Sequence, residues 1–116
     1  MSRVATPWAP DRGDLVWISM APTTGHEQSG RRPAHVHSPA ADNARVGLAI
    51  LCPITSRAKG YPFEVPLPDG LPAQGVVLAD QVKSLDWRSR GAELICAAPA
   101  ETTSAVLLRL QTLVSP

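Results

Sequence analysis

Proline punctuates this chain, with twelve copies against eight glycines. A ring that fixes φ and removes a backbone donor favours short elements joined by fixed turns over long helices. Short apolar runs rich in β-formers fit that constraint. Residues 14–20 (Asp14-Leu15-Val16-Trp17-Ile18-Ser19-Met20) read as a strand, and residues 33–38 as a second, with Pro33 at its start, where a missing donor is tolerated. Residues 46–54 read as a third, fully buried strand. Residues 63–67 and 74–79 are two more, linked through the turn segment Pro68-Asp69-Gly70, and residues 82–87 and 93–97 finish the sheet.

Helical spacing is confined to the C-terminus, where Val106, Leu107, Leu110, Leu113 and Val114 make one apolar stripe. Pro99 suits a first turn, Glu101 favours the positive end of the helix dipole, and Pro116 ends the pattern. The expected fold is mainly β (α+β): a small curled sheet or barrel of about seven short strands with the C-terminal helix packed on it. Residues 1–12, with Pro7 and Pro10, read as a flexible tail, and residues 13–116 as one domain.

A chain of 116 residues, 44% hydrophobic, can bury a single modest core. With only Trp8, Trp17, Tyr61, Phe63 and Trp87 as aromatics, that core must be mainly Val, Leu, Ile and Ala. Cys52 and Cys96 sit in apolar surroundings and read as small core residues rather than a disulfide. No apolar h-region opens the chain and no run approaches the ~18 residues of a membrane span, so a soluble, cytoplasmic protein without membrane contact is expected.

Net charge is +1, which decides nothing about nucleic acid. Its distribution says more: residues 1–60 hold seven basic and four acidic side chains, residues 61–116 four and six. The basic excess gathers at Arg31, Arg32, Arg45, Arg57 and Lys59, a single patch if the fold unites them and an ordinary solvated surface if it does not.

No glycine-rich phosphate loop precedes a helix, no Cys/His set has metal spacing, and no Gly-x-Ser-x-Gly elbow exists, so neither metal nor cofactor is expected. Polar groups at strand ends remain. Arg31-Arg32 opens a strand after the long polar loop of residues 21–30, Thr55 ends the buried strand, and Asp80-Gln81 ends another. Neighbouring strand ends meet at one rim of a small sheet, where these groups either converge on a ligand or merely solvate turns.

Four separated segments carry a resemblance. Gly13-Asp14-Leu15-Val16-Trp17 is followed by Glu27-Gln28-Ser29-Gly30-Arg31-Arg32-Pro33-Ala34, then Lys59-Gly60-Tyr61-Pro62-Phe63-Glu64-Val65, then Leu78-Ala79-Asp80-Gln81-Val82-Lys83-Ser84-Leu85-Asp86-Trp87-Arg88. In this order they resemble the MazF/PemK/Kid toxin family across about residues 12–114. The resemblance implies an SH3-like barrel with a terminal helix, a homodimer whose interface grooves bind single-stranded RNA such as mRNA, and a small MazE-like antitoxin. It implies a sequence-specific endoribonuclease that needs no metal and uses the 2′-hydroxyl as nucleophile, leaving a 2′,3′-cyclic phosphate and a 5′-hydroxyl.

By that resemblance Arg32 is catalytic, and a guanidinium fork suits a phosphorane. Thr55 holds a non-bridging phosphate oxygen or caps its strand. Glu27 either polarises the 2′-hydroxyl or orients Arg32. Arg31, Arg57, Lys59, Asp80 and Gln81 line the RNA groove, although turn structure explains Asp80 and Gln81 equally well. Two positions depart from the family, His35 and His37, which stand where aliphatic residues are usual and share one sheet face. They read as hydrogen-bonded core histidines, as an accessory to Arg32, or as ligands of an adventitious metal. Two rival functions stand beside the ribonuclease: a CcdB-like poison that binds DNA gyrase without cleaving anything, and a catalytically inactive nucleic-acid-binding relative.

Overall fold

The computed structural model describes residues 8–20 and 30–115. Seven strands run β1 Asp14–Ser19, β2 Arg31–Val36, β3 Leu48–Thr55, β4 Glu64–Pro66, β5 Val76–Leu78, β6 Lys83–Asp86 and β7 Glu93–Ala97. Helix α1, Ala40–Val46, precedes β3; a single 3-10 turn, Ala79–Gln81, follows β5; and α2, Ala100–Val114, ends the chain. Every pairing is antiparallel, in the order β4-β5-β3-β2-β1-β7, with β6 also on β3. The mainly β architecture with a C-terminal helix is the one expected.

β3 organises the sheet because its free edge serves two partners. Leu48 to Leu51 pair with β6, whereas Ile54 and Thr55 pair with β5. Pro53, which has no N–H to give a ladder, stands at that change of partner.

Period-two alternation divides the strands between two cores. Val16, Ile18, Ala34, Val36, Ala49 and Leu51 pack with Trp87 in one. Leu15, Cys52, Ile54, Val65, Val77 and Ala79 pack in the other, under Val106 of α2. The β1–β7 register shifts between Leu15 and Val16, where Ile95 of β7 is left over as a bulge. Cys52 and Cys96 are free thiols in or beside the second core, as expected of small core residues. Burial of Cys52, with the Asp80 charge beside it, pushes its thiol up to about 12.

Three expectations need correction. β3 is not buried throughout, since Leu48 and Ile50 are nearly half exposed. The stripe on α2 is only partly used: Val106 is buried and Leu110 packs beside it, but Leu113 and Val114 point to solvent. Helix α1 forms where no element was expected, taking only Val46 from the expected third strand, and it carries no apolar stripe.

Asn43 holds α1 in place. Its amide donates to the carbonyls of Pro10 (2.8 Å) and Ser38 (2.9 Å), and its backbone carbonyl accepts the Trp87 indole N–H at 2.9 Å. Gly47 then ends the helix at φ 78°, a left-handed position that suits glycine. These contacts also order residues 8–12, which the sequence assigns to the tail. Pro10 is fully buried, Trp8 stands edge-on to Trp87 at 5.9 Å, and Asp11 accepts from the Ala40 N–H. The first seven residues of that expected tail lie outside the described residues. Among the described residues, no helix is long and apolar enough to cross a membrane.

Candidate active site

β2 and β3 are paired Ala34↔Pro53, His35↔Cys52 and Val36↔Leu51. Continuing that register two residues past Ala34 sets Arg32 opposite Thr55. Directly opposed residues lie about 5 Å apart at Cβ, which brings both side chains to the same rim. Three adjoining cavities share Thr55, and Arg32 lines two of them. Arg57, Lys59, Asp80 and Gln81 complete the walls, with Gln81 bordering two of the cavities. Of the strand-end residues, Arg32, Thr55, Asp80 and Gln81 are therefore brought together, and Arg57 and Lys59 of the basic set stand with them.

The Thr55 hydroxyl oxygen accepts from the Arg57 N–H at 3.1 Å. That bond turns the chain after β3 and leaves the hydroxyl proton directed elsewhere, so strand capping and donation to an oxyanion are compatible tasks. The Arg32 side chain forms no ion pair or hydrogen bond to another described residue, which leaves its fork free for an anion.

Arg31 does not join this group. Successive residues of a strand point to opposite faces, and the Arg31 guanidinium donates to Glu93 on β7 at 2.6 Å. Arg45 is separated as well: it sits in the last turn of α1, bonded to Asp42, at the far end of β3 from Arg57. Eight strand residues put roughly 25 Å between those ends, so the basic residues do not make one patch. Glu27, with the rest of residues 21–29, lies outside the described residues.

His35 and His37 are core residues, under the first turn of α2 rather than beside Arg32. Their rings bond each other, Nδ1 to Nε2 at 3.0 Å, and His35 Nε2 bonds the Thr103 hydroxyl at 3.1 Å. Burial lowers both pKa values, to about 4 for His35 and about 3 for His37, with the neighbouring ring and Arg12 adding to the effect at His37. Among the described residues, no three His, Cys, Asp or Glu side chains are grouped to hold a metal ion.

Sequence reasoning missed several participants. Lys83 lines the cavity between Arg32 and Gln81, and Gln74 the one between Arg32 and Arg57. Glu64 is nearly buried, and its carboxylate accepts the Lys59 and Gly60 N–H groups at 2.9–3.1 Å, which pins the loop carrying both site cations. Lys83 and Glu64 stand inside the quoted segments, where an acidic residue within an apolar strand was the available signal. Gln74 gave none.

Known proteins match this arrangement. Residues 11–114 match the family described as PemK-like, MazF-like toxin of type II toxin–antitoxin system. The endoribonuclease toxin MazF of Escherichia coli K12 is 53% identical over 85 residues, covering 73% of this chain and 76% of that one. A crystal structure of MazF from Deinococcus radiodurans superposes with a TM-score of 0.87 at 55% identity, covering 95% of this chain and all of that one. The MazF chain of a MazE–MazF crystal structure from the same organism gives 0.84 at 52% identity over 93% of this chain and 97% of that one. That the Escherichia coli relative is an endoribonuclease favours the cleaving reading over the gyrase-binding one. The match in sequence, fold and length leaves one assignment: the chain belongs to the PemK-like, MazF-like family of type II toxin–antitoxin toxins.

Proposed function

We propose that this endoribonuclease toxin cuts single-stranded RNA, mRNA included, without a metal ion, at the rim where Arg32 faces Thr55. The 2′-hydroxyl oxygen attacks the adjacent phosphorus as its proton leaves. The P–O5′ bond then breaks, and the departing 5′-oxygen takes up a proton. The products are a 2′,3′-cyclic phosphate and a 5′-hydroxyl.

Arg32 pairs two phosphorane oxygens, and the Thr55 O–H donates to a non-bridging oxygen. Glu27 assists, by polarising the nucleophile or by orienting Arg32. Arg57, Lys59, Asp80 and Gln81 bind the flanking nucleotides, and Arg31, its charge paired with Glu93, contributes less. The chain acts as one domain, into which residues 8–12 also pack, and as a cytoplasmic homodimer held in check by a MazE-like antitoxin.

One observation carries this reading: Arg32 and Thr55 line two cavities together, with the cations Arg57 and Lys83 and the amides Gln74 and Gln81 among their walls. The test is cleavage of a long RNA in EDTA, beside a substrate with a single 2′-deoxy sugar at the scissile position. RNA is cut and the deoxy substrate resists. Equal cutting of both would rule out attack by the 2′-hydroxyl.

A further inference from the structure

One wall of the site is aromatic, and the cleavage chemistry leaves it unused. Tyr61 and Phe63 stack with ring centroids 5.3 Å apart and planes 28° apart. Phe63 packs on the core beneath, while Tyr61 is 50% exposed at the cavity that also holds Thr55. The loop under Tyr61 is fixed in advance: Glu64 binds the N–H groups of Lys59 and Gly60, and the Glu64 N–H donates to the Tyr61 carbonyl at 3.1 Å. The Asp80 carboxylate and the Gln81 amide line the same cavity. Its volume is about 330 Å³, enough for one nucleotide and too little for a base pair.

An ordered aromatic ring, hydrogen-bonding side chains and a phosphate-binding hydroxyl around one cavity suit an unstacked base. We infer that this cavity takes the base next to the scissile phosphate, stacked on Tyr61 and read along its edge by Asp80 and Gln81. The inference rests on the ribonuclease reading above and assigns the specificity of that site.

The carboxylate sets the preference. It only accepts hydrogen bonds, so it favours a base with an exocyclic amino group on its pairing edge: adenine, cytosine or guanine. Uracil offers a single N–H between two carbonyls, both of which the carboxylate repels. Uracil is therefore selected against at this one position beside the cut.

Two readouts test the inference. Affinity is measured on RNA made uncleavable by a 2′-deoxy sugar, and sequence preference by sequencing the ends cut from a randomised single-stranded pool. Tyr61→Ala and Tyr61→Leu weaken binding by about tenfold, the usual loss of one base–aromatic stack, and Tyr61→Phe restores it. The Leu variant keeps apolar bulk on Phe63, so a loss there comes from the missing π-face and not from a collapsed loop. Asp80→Asn admits uracil at one position beside the cut. Unchanged binding by Tyr61→Leu, or unchanged exclusion of uracil in Asp80→Asn, overturns the inference. Wild-type protein that binds the uncleavable RNA through Tyr61 but cuts no RNA would sink the cleavage mechanism and leave the base pocket standing.

Discussion

Gly75 lies against the backbone of Thr55 so closely that a β-carbon built on it would be 2.2 Å from the Thr55 carbonyl oxygen. Its φ of 124° is also one that side chains with a β-carbon rarely adopt. The turn before β5 can thus close on the end of β3 only with glycine, and that closure fixes where the Thr55 hydroxyl sits. Gly75→Ala should cost about 1–3 kcal/mol of stability and lower the cleavage rate by about 10²-fold through displacement of Thr55. Urea unfolding and single-turnover cleavage check the two effects. A variant with wild-type rate would show that the position of Thr55 is not critical.

Arg32→Ala should slow cleavage by ~10²–10³-fold, the size of losing one preorganised donor to a developing oxyanion, with thermal unfolding unchanged. Arg32→Lys should recover only part of the rate, since an ammonium cannot fork onto two oxygens. Retention of near-normal rate by Arg32→Ala would move the chemistry elsewhere in the groove.

The histidine pair makes stability depend on pH. Both folded pKa values, about 4 and about 3, lie below the ordinary 6.5, so the unfolded chain binds more protons as the medium acidifies. This contribution is fully present above about pH 6.5 and is lost as pH falls toward 4, on the order of 3 kcal/mol for His35 alone. Among the described residues His37 Nδ1 has no hydrogen-bond partner, so an apolar replacement leaves nothing stranded there. His35→Val with His37→Leu should fold at least as well, flatten the acid limb of the stability curve and still cut RNA. Unfolding midpoints from pH 7 to pH 4 decide this, and loss of cleavage at unchanged stability would instead give the pair a catalytic task.

The strands were legible because each is an apolar run closed by proline, glycine or a polar turn, and β7 appears at its expected bounds. Helix α1 was not, because the hydrogen bonds of Asn43 hold it and no hydrophobic periodicity announces it. At the site, Arg32 and Thr55 stood out as polar residues at strand ends. The divergence of Arg31 was also within reach, since neighbours on a strand face opposite ways; what stayed hidden was Glu93 as its partner. Glu64 and Gly75 act by touching backbone that only the folded chain brings near. No local pattern encodes that.

The antitoxin should compete with RNA for this groove. Arg32, Arg57, Lys59 and Lys83 border adjoining cavities, and none of these four side chains is tied to a carboxylate among the described residues. An acidic, flexible segment that folds on binding would find the same charges that hold the RNA backbone. Both ligands should then weaken with added salt, and antitoxin should displace RNA. Arg31 provides an internal contrast: with its charge committed to Glu93, Arg31→Ala should weaken either ligand less than Arg57→Ala does. The measurement is titration of antitoxin against fluorescent, uncleavable RNA bound to Thr55→Ala, a variant that keeps every one of these cations. A stable ternary complex with unchanged RNA affinity at saturating antitoxin would place the antitoxin on another face and make its inhibition allosteric.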